Sequence, residues 1–151
     1  MNILFVCTGN TCRSCMAESI FNLLSKDDTF FAKSAGIAIV EGSTTSINSS
    51  KVLNEKLNLD ISKRKAVQLN RQLTHDSDLI ITMTAYIRDV LVENFPESKR
   101  KIHSLNDYVG IKGEIIDPYG GTVSVYEDTF KQLKSGILLL LNKLREDKSV
   151  Q

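Results

Sequence analysis

Residues 2 to 6 form a continuous apolar run, with Ile3-Leu4-Phe5-Val6 at its heart. Such a run predicts a parallel strand covered on both faces, and so a central one. After a short polar break a helical pattern opens at Cys15-Met16-Ala17-Glu18. Met16, Ile20 and Leu24, flanked by Ala17, Phe21 and Leu23, recur at helical spacing until Ser25-Lys26-Asp27-Asp28 ends the helix. Phe30 to Gly36 reads as a second strand. The polar stretch Glu41 to Ser46 leads to a helix through Val52, Leu53 and Leu57, with Ser43 or Thr44 as N-cap and Asn58 to Ser62 as its exit. Lys63-Arg64-Lys65 reads as a solvated turn.

Asp78-Leu79-Ile80-Ile81-Thr82-Met83 repeats the buried-strand pattern, and a helix from about Thr84 to Phe95 follows, stopped by Pro96. Lys101 to Leu105 is a shorter fourth strand. From Thr122 onward Tyr126, Phe130, Leu133, Ile137, Leu140, Leu141 and Leu144 step by three or four residues, describing a long amphipathic helix. Strands alternating with helices predict an α/β fold, a three-layer α/β/α sandwich on a four-stranded parallel sheet. No repeat, low-complexity tract or linker divides the 151 residues, so one domain is expected over 1–151.

Composition narrows the function. A net charge of +1 with 25% charged residues gives no overall attraction to nucleic acid or anionic membrane, so neither is expected as a partner. Met1 to Val6 lacks the basic flank and length of a signal peptide, and Gly136 to Leu141 is far too short to span a bilayer. Cysteines at 7, 12 and 15 cannot form a disulfide framework, and a reducing, cytoplasmic location is expected. A monomer is expected as well.

Candidate chemistry concentrates in Cys7-Thr8-Gly9-Asn10-Thr11-Cys12-Arg13-Ser14, between the first strand and the first helix. A loop there turns backbone N–H groups inward, and the helix adds its unpaired donors and the positive end of its dipole, so the concavity suits an anion. A cysteine at the start of such a loop is a nucleophile whose ionised form the positive surroundings favour. Arg13 supplies a planar fork matched to two oxygens of a tetrahedral oxyanion. Asn10 suits a left-handed backbone and can brace the loop from inside, while Ser14 can cap the helix or donate to the sulfur. Attack on a phosphate-like group needs an acid for the leaving atom, and Asp117 in Ile115-Ile116-Asp117-Pro118-Tyr119-Gly120-Gly121 is the candidate, with Tyr119 placed to flank a substrate.

Rival readings use the same cysteines. C-x4-C-x2-C matches three ligands of a plant-type iron–sulfur protein but lacks the fourth, and Cys12-Arg13-Ser14-Cys15 is a C-x-x-C of the thioredoxin kind. Cys12 and Cys15 are therefore candidate redox residues. A binding module would read phosphate without turnover. His75 and His103 are isolated, and neither a metal nor a cofactor is expected.

The loop together with Met16-Ala17-Glu18, Ser34-Ala35-Gly36, the Asp78–Met83 strand and Asp117-Pro118-Tyr119-Gly120 resembles the low-molecular-weight protein-tyrosine phosphatase family over nearly the whole chain. The resemblance implies Cys7 as nucleophile, Arg13 as phosphate clamp, Asp117 as general acid and then base, and Thr8, Gly9, Asn10, Thr11, Cys12 and Ser14 as loop supports. Phosphorylated proteins would be the substrates, with no metal. The wording Cys-Thr-Gly-Asn-Thr-Cys-Arg-Ser is similar to that of a bacterial protein-arginine phosphatase branch. Thr11 stands where tyrosine-directed relatives usually carry a bulky aliphatic residue, which implies a substrate guanidinium. Cys15 stands where the family usually has proline. Arsenate reductases share the fold and loop but relay electrons through a further cysteine pair, which Thr82 to Asp89 lacks.

Overall fold

The computed structural model describes residues 1–26 and 29–150. Strands β1 (Asn2–Cys7), β2 (Phe31–Gly36), β3 (Leu79–Thr82) and β4 (Ile102–Ser104) form one sheet in the order β2-β1-β3-β4, every pair parallel. The apolar run of β1 is thus central, and Ile3, Leu4, Phe5 and Val6 are all buried. Its last residue, Cys7, is in register with Gly36 of β2.

Helices cover both faces. On one, α1 (Arg13–Ser25) packs against α6 (Val123–Val150), with α2 (Ile47–Leu57) and α5 (Leu105–Val109) also against α6. On the other, α4 (Ala85–Asn94) lies on β3 and β4, and the short α3 (Arg71–Asp76) sits beside β1. The stripe expected on α6 is the buried one, from Tyr126 to Leu144. Phe21 of α1 meets Phe5 of β1 edge-on, with ring centroids 5.8 Å apart. No described helix is long and apolar enough to cross a membrane.

Differences from the sequence reading are local. Ser46, not Ser43 or Thr44, caps α2, its hydroxyl accepting from the Ser49 N–H. All three residues have the chemistry for a cap, but the chain turns helical only at Ile47. Thr84 caps α4, accepting from the Ile87 N–H, and Pro96 opens a 3-10 turn, Pro96–Lys101. α3 and α5 were not expected. Helix α1 ends at Ser25 with Lys26 in the left-handed region, while Asp27 and Asp28 lie outside the described residues. Lys63 and Lys65 are exposed, as a solvated turn requires, but Arg64 between them is drawn inward, its side chain only 19% exposed.

Candidate active site

The loop from Cys7 to Ser14 leaves the carboxyl end of β1, which lies between β2 and β3, and it is beyond the carboxyl ends of the strands that ligands of open α/β sheets sit. Neighbouring segments hold its backbone. Ile37 N–H donates to Cys7 O and Ala38 N–H to Thr8 O, each at 3.0 Å, and Ser46 N–H donates to Thr11 O at 3.0 Å. The fit is tight enough to dictate Gly36, since a Cβ there would lie 2.6 Å from Thr8 O and 3.0 Å from the Asn10 nitrogen. Asn10 has φ 58°, the left-handed value its side chain tolerates.

Cys7 Sγ receives the Asn10 N–H at 3.3 Å and lies 2.8 Å from Ser14 Oγ. Ser14 therefore serves the sulfur rather than capping the helix; Cys12 is the N-cap residue, and no side chain caps α1. The first-turn N–H groups are left for an anion. Arg13 is buried, its Nη1 donating to Ile115 O at 3.3 Å and its Nη2 lying 3.6 Å from Asp117 Oδ2. Asp117 is placed from both ends, because Ile115 and Pro118 are buried on either side of it. Thr129 Oγ1 donates to Ile116 O, and Gln132 Oε1 accepts from the Ile116 N–H, tying the segment to α6. The Glu114 carboxylate accepts from the Ala85 N–H and ties it to α4.

These groups surround an open cavity of about 580 Å³. Residues 7 to 13 make its floor, Ala38 and Val40 one wall, Ser43, Thr44 and Ser46 another, and Asp117 with Tyr119 the third. A thiol, a guanidinium, a carboxylate and free amides around one space can carry nucleophilic transfer of an oxyanion group with proton delivery.

The remaining cysteines differ in placement. Cys12 Sγ lies 3.5 Å from both Ser46 Oγ and the Tyr126 hydroxyl. Burial, followed by the hydrogen bond with Cys12, pushes the Tyr126 hydroxyl up to about 12. Cys15 is fully buried and donates to Cys12 O at 3.2 Å, and desolvation pushes its thiol well above the usual range. That placement tells against Cys15 as a redox partner, since such chemistry needs an accessible thiolate. Arg64, Ser46, Tyr126 and Val40 belong to the site or its support, and the sequence did not single them out as such. For Arg64 the available signal was only a charge cluster.

Over residues 2–150 the chain matches the model of the low molecular weight phosphotyrosine protein phosphatase family. It is 39% identical to the low molecular weight protein-tyrosine-phosphatase PtpB of Staphylococcus haemolyticus, across 96% of this chain and 98% of that one. It is 38% identical to a protein-arginine-phosphatase of Geobacillus stearothermophilus, across 96% and 97%. Among solved structures, the YwlE arginine phosphatase from Geobacillus stearothermophilus superposes with a TM-score of 0.92 at 36% identity, covering 99% of this chain and 96% of that one. A low molecular weight protein tyrosine phosphatase from T. tengcongensis gives 0.90 at 40%, covering 95% and 99%.

Proposed function

Because the chain belongs to the low molecular weight phosphotyrosine protein phosphatase family, we propose that it hydrolyses phosphoarginine on proteins through a phosphocysteine intermediate. In the first step Cys7 Sγ attacks phosphorus, the P–N bond breaks, and the leaving guanidine nitrogen takes its proton from Asp117. In the second, Asp117 takes a proton from water, the oxygen attacks phosphorus, and the S–P bond breaks to return the thiolate and release inorganic phosphate. Arg13 and the loop amides hold the charge that develops on the phosphoryl oxygens.

The observation that carries the phosphoarginine reading is the pair of polar groups that line the cavity together with the nucleophile, the Thr11 hydroxyl and the Asp117 carboxylate. Thr44 adds a further polar lining residue, while the Ser46 hydroxyl is taken up by the Ser49 N–H and Cys12 Sγ. Such a wall suits a planar, donor-rich guanidinium. Tyr119, 82% exposed at the mouth, favours the second reading, phosphotyrosine, because its ring can pack on another ring. Phosphate release from phosphoarginine and phosphotyrosine peptides, for the wild type and Thr11→Ile, decides between them. The expected result is preference for phosphoarginine, reduced or reversed in Thr11→Ile. Preference for phosphotyrosine that Thr11→Ile leaves unchanged defeats the assignment. The cytoplasm is the proposed location, on the strength of three free thiols around the loop. Cys12, which lines the cavity with Cys7, is the proposed partner of a protective disulfide under oxidation.

A further inference from the structure

The basic run Lys63-Arg64-Lys65 is sorted by its backbone pairing. Ala66 N–H donates to Ser43 O at 2.9 Å and Thr45 N–H donates to Arg64 O at 3.1 Å, so Thr44 and Lys65 stand opposite each other as an antiparallel pair, bonded on either side but not to each other. In a pair of that kind the two side chains share a face and stand closest, with Cβ atoms about 4.5–5.5 Å apart. Thr44 belongs to the wall of the cavity that holds Cys7. Lys65 is therefore carried to the rim beside it.

Its two neighbours are engaged elsewhere. Arg64, one residue back, points to the other face, where Nη1 donates to Asn10 Oδ1 at 3.0 Å and Nη2 pairs with Glu18 at 3.3 Å. Lys63 lies near Asp60, whose carboxyl is held below the usual range by hydrogen bonds from Ser62 and further by the Lys63 charge. Each of these cations has an anion of the chain at hand. Lys65 is exposed, and among the described residues it has no ion pair.

The rim thus carries opposite charges on different walls, Lys65 beside Thr44 and Asp117 beside Tyr119. A phosphorylated side chain that reaches Cys7 leaves its main chain and the neighbouring residues at this rim, within range of an ammonium on a flexible stem. The phosphoryl group itself is taken by Arg13 and the loop amides, so a different anion is left for Lys65. We propose that Lys65 is a specificity residue for the protein substrate, its ammonium pairing with an aspartate or glutamate carboxylate a few residues from the phosphorylated one. On an exposed rim such a pair governs the choice of substrate more than the strength of binding. The inference rests on phosphorylated proteins being the substrates.

The test is kcat/KM on phosphoarginine peptides, with a matching phosphotyrosine series, in which a single Asp is moved from about three residues before the phosphorylated one to about three after it in a Gly/Ser background. In the wild type, Asp at one or more positions raises kcat/KM about two- to fivefold through KM. The gain fades between about 0.02 and 0.5 M salt. Lys65→Gln loses the gain, Lys65→Glu turns it into a penalty and favours Lys at the same position, and Lys65→Arg keeps it. Indifference of the wild type to Asp at every position overturns the proposal. So does a gain that survives in Lys65→Gln and Lys65→Glu. A loss on para-nitrophenyl phosphate, which has no carboxylate, as large as that on the acidic peptide also overturns it, because Lys65 would then be acting on the phosphoryl group. If neither peptide series releases phosphate while para-nitrophenyl phosphate is hydrolysed, the protein-phosphatase reading falls and the inference with it. If the peptides are hydrolysed without regard to Asp, the inference falls alone.

Discussion

Arg13 and Asp117 face each other at 3.6 Å, the guanidinium side chain 6% exposed and the carboxylate 56%. The group assigned to hold phosphate and the group assigned to move the proton are thus paired before substrate arrives. An incoming phosphoryl group competes with Asp117 for the same fork of donors. Replacing the carboxylate by an amide removes that competitor along with the acid. In Asp117→Asn, inorganic phosphate is expected to inhibit up to about fivefold more tightly, the span of a partly exposed ion pair. The kcat on a phosphorylated peptide falls by about 10²- to 10⁴-fold. Inhibition constants and single-turnover rates check the two halves, and an unchanged kcat removes Asp117 from the mechanism.

Gly36 gives a prediction far from any reacting atom. A methyl group there meets Thr8 O, Ile39 Cγ2 and the Asn10 nitrogen at 3.0 Å or less, and two of these are loop backbone. Gly36→Ala has to displace the loop or its own strand. The expected costs are about 1–3 kcal/mol in urea unfolding and about 10²-fold in kcat/KM. A fully active Gly36→Ala would mean that the loop tolerates displacement.

Cys15 gives a prediction in pH. Its thiol titrates higher in the folded chain than in the unfolded one because burial disfavours the thiolate. The folded state therefore holds its proton more firmly. The stability this supplies is complete below the unfolded value near 9.0 and is lost as pH rises beyond it. Between pH 9 and 10 the wild type should lose stability faster than Cys15→Ala, by a slope approaching about 1.4 kcal/mol per pH unit. Parallel slopes in urea titrations of the two proteins would show that Cys15 does not govern alkaline unfolding. In the native protein Cys15 should also resist alkylation that Cys7 undergoes.

The sheet and its central strand were legible because burial on both faces leaves an uninterrupted apolar run, and α6 because its stripe repeats over many turns. α3 and α5 were not. They have six and five residues, too few for a period to emerge, and a cap such as Asn70 also serves ordinary turns. Within the site, Cys7, Arg13 and Asp117 could be proposed from their chemistry and loop context. Arg64 could not, because Lys63-Arg64-Lys65 looks like any solvated run. Only the tertiary pairing of residues 64–68 with residues 36 and 43–45 carries the guanidinium under Asn10. Ser46 was hidden for another reason: it is one of several adjacent hydroxyls, and which one caps the helix depends on where the backbone turns.

The strand order has a further consequence, for when the two halves of the site come apart. Cys7 ends a strand bonded along both edges, so amide protons at the foot of its loop should exchange with solvent only in the rarest, near-global openings of the molecule. Asp117 instead lies in a segment without helix or strand, pinned at a few points to α4 and α6. Its amide neighbours should exchange through small local openings. Under mild denaturant the protein should pass through a population that still binds phosphate on an intact loop yet has lost its proton donor, an occupied but idle enzyme.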